Sequence, residues 1–215
     1  MTWHCKATGG YSRSSQEAWD NCFQIYSILS SYGWTLNAIS GVLGNIEAES
    51  VYNPWRWQIN PTDDPLPSTD PIVWDPTATN TGHAYGLCQW DGPGKYIVGG
   101  QGYSGYGPNF SDIPGSMGDG AAQMAFLNDH ADYSPTTTYP ETYAQYKVNT
   151  NTPEWNARAW FANFERGTWN NDRITAAEYW YNEFGGIPPT PPVGFDDILV
   201  FKHFIEKNHK RGYII

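Results

Sequence analysis

Glu47 and Glu49 stand two residues apart at the end of an apolar stretch that gives way to Ser50-Val51-Tyr52-Asn53-Pro54. Carboxyl groups do the work of glycoside cleavage, as general acids or as nucleophiles. On a helix, positions i and i+2 point about 200° apart, so these two cannot act as a pair on one substrate. They flank the stripe of Leu36, Ile39, Val42, Leu43 and Ile46 on opposite edges, and periodicity does not choose between them. An edge position keeps a carboxyl partly out of water, which favours the protonated form that a general acid needs near neutral pH. The plain alternative is that both are solvated flanks of an amphipathic helix. Glu165 is a further acid, and the reading preferred for it is an ion pair with Arg166 or Arg173 that fixes two helices.

Thiol chemistry is the other option. Cys88 with His83 or His130 would make a cysteine peptidase, provided a helix N-terminus or an imidazolium stabilised the thiolate. Cys88 lies between Leu87 and Gln89 in a strand-like run with no helix start beside it, which favours a buried structural thiol. Cys5, Cys22 and Cys88 show no CxxC spacing and the histidines no HExxH. No disulfide framework, metal or cofactor is expected.

The elements that must position these groups read as mainly helical. Ser14 and Glu17 form a capping box for a first helix with Trp19, Cys22, Phe23, Tyr26 and Leu29 on one face and Gly33 at its C-terminal cap. Thr35 caps a second helix that runs to about Ser50. Gly41 and Gly44 inside it each cost about 1 kcal/mol against alanine, so a neighbouring backbone is expected to approach there. Further helices are expected at 119–131, at 153–164 with Pro153 at its first position, and at 172–183. Proline-rich residues 55–82 and glycine-rich residues 92–120 read as long loops. A catalytic domain over 1–186, a Pro-rich linker over 187–194 and a tail over 195–215 complete the division. Phe195, Ile198, Phe201 and Ile205 give that tail one apolar face, suited to a docking helix.

Composition narrows the partners. At 215 residues a single core suffices. A net charge of -10 argues against nucleic acid, which needs clustered cations. Trp (11) and Tyr (15) are abundant, and their flat faces suit sugar rings when they do not simply fill the core. No apolar run approaches the ~18 residues of a membrane span. Met1 to Lys6 lacks a signal-peptide core, so a soluble chain without a secretory address is expected.

Glu49-Ser50 with Asn53-Pro54 at the end of an apolar helix resembles the catalytic Glu-Ser signature of the lysozyme and lytic transglycosylase superfamily. Gly86-Leu87-Cys88-Gln89-Trp90 resembles its second motif. The fuller pattern is similar to the phage tail lysozymes. Gly33-Trp34-Thr35, 38–45 and Glu49-Ser50 match a first block and 86–90 a second. Gln123 with Phe126-Leu127 matches a third, and 163–166 with Arg173 and Ala177 a fourth.

The resemblance implies a lysozyme-like α+β fold, mainly α with a small β-hairpin region, two-lobed with a cleft. It implies Glu49, not Glu47, as the general acid. Gln89 and Trp90 would face the glycan, with Tyr85 on the same wall, although Gln89 could equally tie the β region to the helix. Asn163 would reach either substrate or backbone. Animal-type lysozymes carry an aspartate where this chain has Ala84. A second carboxylate would therefore come from Asp63, Asp64, Asp70, Asp75 or Asp91, or be absent. The implied activity is cleavage of the MurNAc–GlcNAc strand by a hydrolase, ahead of a lytic transglycosylase. The implied partners are bacterial peptidoglycan and phage tail structural proteins, and the implied place is the virion tail acting on the cell wall. A tail protein that only grips glycan is the non-enzymatic alternative.

Overall fold

The computed structural model describes residues 3–6, 9–56, 84–91 and 119–187. Most of the two expected loops, the linker from residue 188 onward and the expected docking helix lie outside the described residues.

Helix α1, Gln16–Ser31, opens on Ser15, whose Oγ accepts from the Ala18 amide at 3.2 Å. The expected cap at Ser14 is displaced by one residue, and Ser14 Oγ instead bonds Ser12 Oγ. Helix α2, Leu36–Ser50, has the bounds and the Thr35 cap that its pattern predicts. Thr35 also donates to Asn149 O at 2.6 Å, tying the start of α2 to a distant loop.

Between the helices, β1, Ala84–Tyr85, pairs antiparallel with β2, Trp90–Asp91, so that Ala84 faces Asp91 and Tyr85 faces Trp90. Then come α3, Asp119–His130, and α4, Tyr143–Val148. Helix α5, Pro153–Trp160, passes into a π-helical turn over Phe161–Glu165, and α6, Asp172–Phe184, comes next. The six-residue α4 is not among the helices expected from the sequence. Its signal is nevertheless present, since Thr142 and Gln145 form a reciprocal capping box.

The described residues are mostly helical, consistent with a lysozyme-like fold. Among them, no helix is long and apolar enough to cross a membrane.

Helix α2 is the centre of the packing, buried almost all round from Ala38 to Ile46. A Cβ on Gly41 would lie 2.6 Å from the backbone carbonyl carbon of Asn156, and one on Gly44 would run into the carbonyl oxygen of Arg173. Both glycines therefore let the backbones of α5 and α6 come close, as the sequence predicts. Much of the aromatic surplus fills the core. Trp160 and Trp180 are its largest fully buried side chains; Phe184 stacks on Trp180, with Tyr26 and Phe23 around Phe184, while Tyr146 and Phe164 pack on Trp160. None of the three cysteines is in a disulfide.

Candidate active site

Glu49 sits in the last turn of α2, and the segment that ends the helix there is strained. Val51 and Tyr52 both take left-handed backbone, at φ 50° and 61°. That region costs a non-glycine residue on the order of 1–3 kcal/mol and is least suited to a β-branched one. Neighbours hold it in place. Tyr11 N donates to Val51 O at 2.8 Å, and Trp180 Nε1 donates to Tyr52 Oη at 2.8 Å. Asn53 Nδ2 donates to the carbonyls of Lys6 and Gly9, pinning the N-terminal segment over the turn. The other two non-glycine residues with positive φ among those described are Gln89 and Arg166. All four sit next to residues singled out for chemistry.

The two glutamates diverge as an i, i+2 pair must. Glu47 accepts a bidentate pair from Arg13 at 2.6 and 2.5 Å and a further hydrogen bond from Tyr52 Oη. It fastens the segment before α1 to the end of α2. Glu49 faces α6, where its Oε1 accepts from Arg173 Nη2 at 2.7 Å. Its other oxygen has no hydrogen-bond partner among the described residues, and 22% of its side chain stays exposed. Arg173 is itself buried, with 6% of its side chain exposed. Its Nη1 donates to Asn45 Oδ1 at 2.9 Å. The Asn45 amide is fixed in turn, donating to the carbonyls of Gly41 and Ala157. The Phe161 ring covers the guanidinium at 5.0 Å. Sequence reasoning offers Arg166 or Arg173 as the partner of Glu165 and misses Arg173 as the partner of Glu49. A cation among Ala176, Ala177 and Trp180 on the buried face of α6 is the available signal.

Glu165 departs from its expected pairing. Arg166 Nη2 donates instead to the carbonyls of Asp132 and Asn163, and Arg173 is taken by Glu49. The hydrogen bond to Glu165 comes from Trp160 Nε1 at 3.1 Å. Burial, reinforced by the charge of Glu49, pushes the Glu165 carboxyl up to about 8, against smaller opposing effects of Trp160 and Arg173. It is therefore a protonated carboxyl at neutral pH.

Cys88 is buried nearby. Burial pushes its thiol well up, and the charges of Glu165 and Glu49 push it further. This is the opposite of what a nucleophilic cysteine requires.

The turn between β1 and β2 is tied to the chain leaving α2. Gln123 on α3 donates from Nε2 to Pro54 O at 2.7 Å and accepts from Leu87 N at 2.6 Å, linking the two segments. Gln89 donates from Nε2 to Arg56 O at 2.9 Å and to Gly86 O at 2.8 Å. Its amide nitrogen thus serves the tie between the β turn and the segment after α2. Trp90 is half-buried and packs edge-on against Phe126 at 5.8 Å. Tyr85 pairs with Trp90 in the ladder, and its side chain lies outside the described residues.

Asn163 reaches backbone. It is fully buried, donates to Tyr133 Oη and Tyr139 O, and accepts from Thr136 N. It thereby shapes the 131–139 segment. The structure thus brings Glu49 and Arg173 into contact and gives Asn163 a separate task.

The chain is similar to Morphogenesis protein 1 of Bacillus phage B103, at 28% identity over 178 residues. The alignment covers 80% of this chain and 41% of that protein, so the chain spans about two fifths of its relative's length. The family model of the phage tail lysozymes matches residues 20–184, which contain both the Glu49 turn and Glu165. The chain belongs to the phage tail lysozyme family.

Proposed function

We propose that this chain cleaves the MurNAc–GlcNAc strand of bacterial peptidoglycan by general acid catalysis from Glu49, as part of a phage tail during passage through the cell wall. Family membership carries a phage peptidoglycan-degrading function of glycosidase or lytic transglycosylase type. The observation that supports Glu49 over Glu47 is the difference in their surroundings. Both oxygens of Glu47 are committed to Arg13 and Tyr52, whereas Glu49 is held by one oxygen and leaves the other free at a partly exposed edge. A carboxyl fixed in this way can present its free oxygen to the bridging oxygen of a glycan. The ion pair on the far side fixes its direction.

Gln89, Trp90 and Tyr85 belong to the wall beside it in this reading. The amide of Gln89 holds the turn, and the ring of Trp90 offers a face to a sugar.

Purified peptidoglycan digested by the protein and analysed by mass spectrometry tests the reading. Reducing muramic ends mean hydrolysis, and 1,6-anhydro ends mean transglycosylation. The Glu49→Gln variant is expected to lose about 100-fold or more in cleavage while still binding the wall. Freed stem peptides, or a Glu49→Gln variant that cleaves at the normal rate, would overturn it.

A further inference from the structure

Glu47 is tied more heavily than a solvated flank of an amphipathic helix needs to be. Arg13 donates to its two oxygens from Nε and Nη2 at 2.6 and 2.5 Å, and Tyr52 Oη donates to Oε2. The phenol oxygen accepts in turn from Trp180 Nε1 at 2.8 Å, and the two rings meet edge-on at 5.4 Å. The Arg13 guanidinium lies over the Tyr179 ring at 5.7 Å. Both branches that leave Glu47 therefore end on α6, the helix whose Arg173 holds Glu49.

Trp180 stands seven residues beyond Arg173, which is about two turns or 10 Å along α6. The end of α2 is thus attached to α6 at two separate points, through Glu49 on one edge and Glu47 on the other. Side chains at i and i+2 point about 200° apart, so they move in opposite directions when the helix turns about its axis. A rotation that swings Glu49 out of place drags Glu47 against its bonds to Arg13 and Tyr52. One attachment leaves that rotation open, and two block it.

The turn that follows needs such a hold. Val51 and Tyr52 both keep left-handed backbone, and Val51 N closes the last helical bond to Glu47 O at 3.0 Å. Residues of these types stay in that region only where their surroundings over-determine it. Tyr52 is fully buried, and burial holds its phenol protonated far above the ordinary tyrosine range, so it stays a donor to Glu47.

We propose that Glu47 and Tyr52 are positioning residues for the general acid: the chain Arg13–Glu47–Tyr52–Trp180 locks the rotation of the last turn of α2 and keeps the free oxygen of Glu49 aimed at the glycosidic oxygen. The inference rests on Glu49 being the general acid. No proton or electron passes along the chain, whose effect is geometric. Of the two carboxyls, Glu49 supplies the proton and Glu47 the direction.

Steady-state kinetics on soluble glycan fragments, with thermal melts to define the folded fraction, test the proposal. Tyr52→Phe keeps the ring against Trp180 and removes only the hydroxyl. Its kcat is expected to fall about tenfold with KM unchanged, the signature of an acid misdirected beside an intact sugar site. Glu47→Gln, which keeps an acceptor for Tyr52, should retain more kcat than Glu47→Ala. Tyr26→Phe is the control: it removes a core hydroxyl that donates to Ile187 O at 3.0 Å, and should lower the melting temperature without lowering kcat. A Tyr52→Phe variant with native kcat overturns the inference.

Native-state hydrogen exchange gives a readout that needs no variant to fold. The Val51 amide should exchange within about 100-fold of the Ile46 amide in the buried part of α2, because helix ends fray where nothing holds them. Faster exchange at Val51 overturns the inference. If Glu49→Gln stays active, the assignment of the acid itself has failed. If Glu49→Gln is dead while Tyr52→Phe behaves as the native protein, only the present inference has failed.

Discussion

Arg173 on α6 donates to Glu49 on α2 across 124 positions of sequence, at 2.7 Å, from a side chain almost wholly shielded from water. That geometry depends on how closely the two helices approach, and the approach depends on residues with no chemistry of their own. Gly44 admits the backbone of Arg173, and Asn45, the next residue, takes the other arm of the guanidinium. The carboxyl of Glu49 is thus positioned by a packing contact one turn of α2 away.

Replacing Arg173 by lysine keeps the charge and removes the fork. A single ammonium cannot match the divergent directions of Asn45 Oδ1 and Glu49 Oε1, so one acceptor loses its donor. The expected cost is about 2 kcal/mol in stability, the scale of a hydrogen bond to a charged group. A fall in kcat of about tenfold with KM little changed should accompany it, because the acid is misdirected while the sugar wall is intact. Thermal melts and steady-state kinetics on glycan fragments read both. A drop in binding with kcat preserved would place Arg173 on the substrate instead.

The raised carboxyl of Glu165 makes stability depend on pH, and proton counts give the sign. Between its ordinary value of 4.5 and about 8 the folded protein keeps a proton that the unfolded chain has released. Unfolding therefore releases a proton in this window, and stability falls as pH rises through it. The neutral isostere in Glu165→Gln removes that dependence and keeps an oxygen to accept from Trp160. The variant should match the native protein near pH 4 and exceed it by a few kcal/mol near pH 8. Melts across that range check the prediction, and parallel curves for the two proteins would refute it.

The legibility of the fold and the site in the sequence differs by element, for physical reasons. Helix α2 carries its own cap, stripe and stop, so its bounds can be read directly, and its two glycines announce close neighbours. The cap of α1 is misplaced because Ser14 and Ser15 are both competent hydroxyls, and only the tertiary setting chooses the second. The π turn leaves no trace in the periodicity, since one inserted residue only shifts the phase of a pattern already fading at Phe164. Glu47 and Glu49 are symmetric about the stripe, and motif resemblance favours one of them. Their physical difference lies in Arg13 and Arg173, partners set by the fold and far away in sequence. Matching Glu165 to the arginine beside it is a common assumption for adjacent opposite charges. Arg166 takes left-handed backbone and turns its side chain to Asp132 and Asn163.

Gly44→Ala tests the packing route to the site. The added methyl meets the carbonyl oxygen of Arg173 and the Cβ of Ala177, backbone and side chain of a rigid helix, so α6 must move away. Overpacking of this kind typically costs about 1–3 kcal/mol, and alanine's better helix propensity recovers at most about 1 kcal/mol. Stability should fall on balance, and activity should fall further than unfolding accounts for, because Arg173 moves with its helix. A variant more stable than the native protein, with unchanged turnover, would mean that α6 yields without cost.

Asn163→Ala separates support from substrate contact. The amide satisfies three partners in the 131–139 segment, Thr136 N, Tyr139 O and Tyr133 Oη, all at 2.9 to 3.0 Å. Removing it leaves three partly buried polar groups without that partner, which costs up to about 1–3 kcal/mol for any of them that water does not reach. Tyr133 packs on Trp160, so the loss is transmitted to the helix that carries Glu165's hydrogen-bond donor. The expected signature is a large fall in melting temperature and earlier proteolysis within 131–139, with KM for glycan fragments unchanged in the folded fraction. A raised KM with an undiminished melting temperature would instead mean that the amide leaves its three partners to bind sugar.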